Sequence, residues 1–108
     1  MLFRSRYTDI LRSYVALAIM EKFDLGLGFI PSSARQIRND HNLLDDFHSE
    51  IPMYLGASMV MKELAKVTNR NLSIIENLTL CYQRLEYLKV TLPEELSRLK
   101  AWLEDLSL

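Results

Sequence analysis

Along most of the chain, apolar positions recur at spacings of three and four, the signature of one buried helical face. From about residue 5 to Asp24 the face is Ile10, Leu11, Tyr14, Val15, Ala18 and Phe23. Leu17, Ile19 and Met20 make the middle of this helix apolar nearly all round, as expected where a helix is central to a bundle or covered by a partner. Gly26 and Gly28 are placed to close it. Leu25, Leu27, Phe29 and Ile30 then make an apolar loop, expected to tuck beneath the bundle or to join an interface.

The pattern predicts a second helix between Pro31 and Pro52. Ala34, Ile37, His41, Leu44, His48 and Ile51 share a face, widened by Leu43 and Phe47. Pro31 suits a first helical turn, and Ser32 and Ser33 offer capping oxygens. Pro52 disfavours helical geometry at Ile51 and is expected to end the helix there. A third helix runs from Pro52 to about Val67, lined by Tyr54, Leu55, Ala57, Met61, Leu64 and Ala65. A fourth begins near Asn71 or Ser73, with Ser73 and Glu76 at capping-box spacing. Its stripe of Leu78, Cys81, Leu85 and Leu88 can be continued through Leu92, Glu95, Leu99, Trp102 and Leu106. Pro93 interrupts that continuation, and Thr91 with Glu94 offers a second capping box, so a short fifth helix is predicted over about residues 92–106. Nothing alternates with period two for long enough to be a strand. The expected fold is all-α, a compact bundle of four main helices plus a short C-terminal fifth helix, in a single helical domain over residues 1–108.

Composition narrows the classes. A chain of 108 residues buries about two-thirds of its unfolded surface and needs no disulfide. The single cysteine, Cys81, falls on an apolar stripe and reads as a small core residue in a reducing, cytoplasmic setting. Net charge is −1 and no block is strongly basic, which argues against a nucleic-acid surface; the mild excess in Arg4, Arg6 and Arg12 is the best candidate for one. The longest apolar run, Tyr14 to Met20, is too short for a membrane span, which takes about 20 residues. Ala16-Leu17-Ala18 lies inside that run rather than after it, so a signal peptide is not expected.

Candidate chemistry gathers between the two prolines. His41, Asp45 and His48 share a face and are competent metal ligands. No other helix supplies a histidine or a cysteine pair to complete a site, so no metal and no cofactor are expected. Arg35 and His41 are separated by five residues, and Gln36 follows the arginine. This pair resembles the arginine–histidine signature of the HEPN superfamily, though Gln36 stands where that family has asparagine, aspartate or histidine. The resemblance implies a helical RNase in which both residues lie on one helix and a dimer joins two pairs over RNA. No nucleophile elbow, glycine-rich phosphate loop or basic recognition helix is present. Within the expected second helix, Arg35 and Arg38 come first and Asp45, Asp46 and Glu50 later, an order opposed to the helix dipole. That order points to a placement set by something other than intrinsic helix stability, with a solvated face of no special role as the commoner explanation. The reading from sequence is therefore a non-catalytic protein-interaction module (a small adaptor, regulator or complex subunit), as a homodimer or with another protein. Its expected contact residues are Phe29, Arg35, Arg38, Asp45 and Asp46. The alternative is an RNase using Arg35 and His41.

Overall fold

Asn42 starts the longest helix of the molecule, with its side-chain oxygen accepting the Leu44 and Asp45 N–H groups at 3.0 and 3.3 Å. A computed structural model describes residues 5–37, 40 and 42–107, the first three of these by backbone alone. The described residues form α1 (Ser5–Lys22), α2 (Leu43–Val67), α3 (Ile74–Tyr87) and α4 (Pro93–Leu106), with no strand among them. None of these helices is long and apolar enough to cross a membrane.

Among the described residues the helices number four, without the expected fifth. The segment expected as the short fifth helix is α4, and the two helices expected on either side of Pro52 are one. Pro52 lies inside α2, where its missing N–H costs one backbone hydrogen bond without ending the helix. The helix also starts twelve residues later than Pro31 suggests, and residues 25–37 are not helical. Ser32 caps nothing; its hydroxyl donates to the Ala34 carbonyl at 3.0 Å. With α2 beginning at Leu43, Asp45 and Asp46 fall in its first turn and Lys66 in its last. The charges therefore run with the dipole, and their order needs no outside cause.

Neither Gly26 nor Gly28 closes α1. Asp24 takes the left-handed conformation (φ 54°), and the Leu25 N–H returns to the Met20 carbonyl at 2.9 Å. Lys89 (φ 58°) does the same after α3, returning the Val90 N–H to Leu85 at 2.9 Å. The Ser73–Glu76 capping box forms: Ser73 Oγ accepts from the Glu76 N–H at 3.1 Å, and Glu76 Oε2 accepts from the Ser73 N–H at 3.2 Å. The one expected between Thr91 and Glu94 does not. Leu92 is the N-cap of α4, without a side-chain bond, and Pro93 fills the first turn.

Leu11, Val15, Ala18 and Ile19 of α1 meet Met53, Val60 and Leu64 of α2 and Cys81 and Leu85 of α3 in one core, closed by Val90. Thr68 and Asn77 are buried at the α2–α3 turn. The Asn77 amide bridges that turn: its oxygen accepts the Asn69 N–H at 2.7 Å, and its nitrogen donates to the Asn69 and Ser73 carbonyls at 2.9 Å each. Arg84 of α3 donates twice to Glu63 Oε2 of α2, at 2.9 and 2.7 Å, and lies 5.3 Å from the Tyr87 ring centre. Those hydrogen bonds from Arg84 hold the Glu63 carboxyl below its ordinary value, against a smaller upward push from burial. A depressed carboxylate stabilises the fold above the unfolded value and loses that contribution as pH falls through the folded one. Glu63→Gln should therefore flatten the acid limb of stability below about pH 4.5. Urea midpoints from pH 3 to pH 7 check this, and an unchanged slope in the variant contradicts it.

The apolar loop does not tuck under the bundle. Leu25, Leu27, Phe29 and Ile30 are exposed, as are Leu43, Leu44 and Phe47 at the start of α2. No residue from 43 to 52 is fully buried; Met53 is the first of α2 to enter the core. Replacing Pro52 by alanine restores an N–H donor at a position where alanine is favoured by about 3 kcal/mol in a helix interior. Because the restored bond serves a stretch outside the core, the gain should be local. Amide exchange over residues 46–52 should slow while Tm changes little; a Tm rise of many degrees would show the two halves of α2 to be one cooperative unit.

Candidate functional site

Helices α1 and α4 both pack on α3, and a groove of about 470 Å³ opens between them. Each helix contributes one turn-spaced set of side chains. Arg12, Val15 and Ala16 come from α1, and Leu78 and Tyr82 from α3. From α4 come Glu95, Arg98, Leu99 and Trp102, at i, i+3, i+4 and i+7, which is one face. Val15 and Leu99 are buried, so the floor is apolar and fixed.

The charges sit together. Glu95, with its side chain only 12% exposed, lies between two guanidinium groups. Arg98 Nη1 donates to Glu95 Oε1 at 3.1 Å, and Arg12 Nη2 lies 3.6 Å from Glu95 Oε2. Arg12 is steadied from outside by Asp9, at 3.4 Å. Burial holds the Tyr82 phenol above its ordinary value, opposed by the Arg12 charge beside it, so at neutral pH the phenol keeps its proton and can donate. Trp102 is the sole tryptophan of the chain and is 53% exposed.

Cys81 lies in the core rather than in this groove, and burial pushes its thiol up to about 11. The thiolate is the reactive form, so native protein should resist alkylation. A disulfide reagent should label Cys81 at a rate that rises steeply only as denaturant unfolds the chain. Rapid stoichiometric labelling under native conditions would contradict this placement.

The residues singled out from sequence lie elsewhere. Phe29 is 93% exposed, and Arg35 is exposed on non-helical backbone. Asp45 is exposed and Asp46 half-buried in the first turn of α2. Arg38 and His41 lie outside the described residues. None of the described ones lines the groove. Conversely, Glu95, Leu99 and Trp102 belong to a stripe that from sequence reads as packing, and Arg12 shows there only as part of a weak basic excess.

The family model for STELLO glycosyltransferases matches residues 6–108. The chain belongs to the STELLO glycosyltransferase family. No curated protein and no solved structure matches it. Membership over nearly the whole chain overturns the reading as a non-catalytic interaction module. It equally overturns the HEPN-like RNase built on Arg35 and His41. The physical reason for the second correction is local: the signature requires both residues on one helix, and Arg35 is on none.

Proposed function

We propose that this chain serves glycosyl transfer by holding a saccharide in the groove between α1 and α4. The observation that carries the reading is the groove's chemistry, found in a member of a glycosyltransferase family. A pyranose has a C–H face and a rim of hydroxyls. The indole of Trp102 presents a π-face, negative at its centre, to which polarised C–H groups are attracted. Glu95 accepts hydrogen bonds from hydroxyls; Arg12 and Arg98 donate to them. Those three groups are already held against one another, so little ordering is left to do on binding. A volume of about 470 Å³ lies within the range of small-ligand sites and accommodates a sugar or two.

Calorimetric titration with a panel of mono- and disaccharides tests the reading, with Ala16→Trp as the blocking variant. Ala16 is exposed on the groove wall, so a large side chain there fills the groove without entering the core. Saturable binding of at least one saccharide by the wild type, lost in Ala16→Trp, is the expected result. Binding that Ala16→Trp leaves untouched, or a panel without a single binder, counts against the reading.

A further inference from the structure

We infer that the saccharide held in this groove is an acidic one, with a carboxylate or phosphate on the sugar set against the guanidinium group of Arg98. The inference rests on the saccharide reading and narrows it. Two guanidiniums and one carboxylate line the groove, and Asp9, just outside it, lies 3.4 Å from Arg12. Both oxygens of Glu95 are engaged, one by each arginine. Arg98 is far from used up: its side chain is 73% exposed, and of its fork only Nη1 is spent on Glu95. Arg12, by contrast, is taken up: Nη1 faces Asp9 at 3.4 Å and Nη2 faces Glu95 at 3.6 Å. A neutral sugar would offer the free donors of Arg98 only hydroxyls. A carboxylate or phosphate would meet a planar fork with donors already aimed, the geometry in which arginine binds anions in pairs of hydrogen bonds.

Spacing supports the same assignment. Arg98 and Trp102 are one helical turn apart on the same face of α4, with about 5–6 Å between Cβ atoms at such a separation. A ring stacked on Trp102 therefore places a substituent on that ring within reach of Arg98. Glu95, one turn before Arg98, accepts from hydroxyls.

The sole tryptophan makes the test direct. The indole N–H of Trp102 is followed by NMR while the whole chain is titrated with glucose, glucuronate, glucose 1-phosphate and inorganic phosphate. At least one of the two acidic sugars should bind about tenfold or more tightly than both glucose and inorganic phosphate, and which one wins identifies the anion. In Arg98→Gln the ratio of acidic to neutral affinity should fall towards one. Glucose binding as tightly as both acidic sugars overturns this inference and leaves the saccharide reading standing. Inorganic phosphate binding as tightly as glucose 1-phosphate marks a bare anion site and overturns both. No binding by any probe also overturns both.

Discussion

Asn77→Ala should lower the unfolding free energy by about 2–3 kcal/mol, the largest loss expected from any single polar side chain here. Asn77 is fully buried and its amide spends both ends on one turn. Alanine would strand the Asn69 N–H and carbonyl and the extra bond to Ser73, and would leave a small void at the α2–α3 junction. Each buried polar group left without a partner costs about 1–3 kcal/mol. Exposure of Asn69 lets water recover part of that, which sets the total below a simple addition. A loss of this size in a domain of about 100 residues lowers Tm by roughly 10–15 °C. Asn77→Asp should be at least as damaging, because it removes the donor and buries a charge. Thermal and urea denaturation read the effect directly. A shift of under about 0.5 kcal/mol, the range of an ordinary surface substitution, would mean that this turn does not lock α2 to α3.

Trp102→Ala should weaken saccharide binding by about tenfold while leaving the fold intact. Stacking on an aromatic face is worth about 0.5–1.5 kcal/mol beyond the area it covers, and 1.4 kcal/mol is a factor of ten. The indole is half exposed and lines the groove outside the central core, so its loss should cost little stability. Trp102→Phe should keep most of the affinity, since it retains a π-face, whereas Trp102→Leu should behave like alanine despite its apolar side chain. That ranking separates stacking from mere hydrophobic cover. Leucine binding as well as phenylalanine would show the groove to be only greasy.

The helices were legible where local chemistry and tertiary packing agree. The stripe of Leu78, Cys81 and Leu85 enters the core as its spacing predicts, and Ser73 caps α3 as its distance from Glu76 suggests. Around Pro52 they disagree. A proline biases the residue before it away from helix, but one lost hydrogen bond does not outweigh the cap at Asn42 and the packing of Met53, Val60 and Leu64. Upstream, Ala34 and Ile37 carry the right spacing with nothing to pack on; both are exposed, and the periodicity alone does not build a helix. The groove was hidden for a different reason. Glu95, Leu99 and Trp102 form a stripe whether they face a neighbouring helix or an opening beside one. Only the positions of α1 and α3 decide which, and those come from contacts distant in the chain. The family was not legible from any short motif at all; it emerges from similarity spread over residues 6–108.

The central claim is that a saccharide sits between α1 and α4, and amide and side-chain chemical-shift mapping with a saccharide that binds tests it most directly. The account predicts shifts at the Trp102 indole, Tyr82, Arg98 and Leu99, with the exposed face of α2 around Leu44 and Leu55 unmoved. Shifts confined to α2 or to the loop around Phe29, with the Trp102 indole silent, would contradict it.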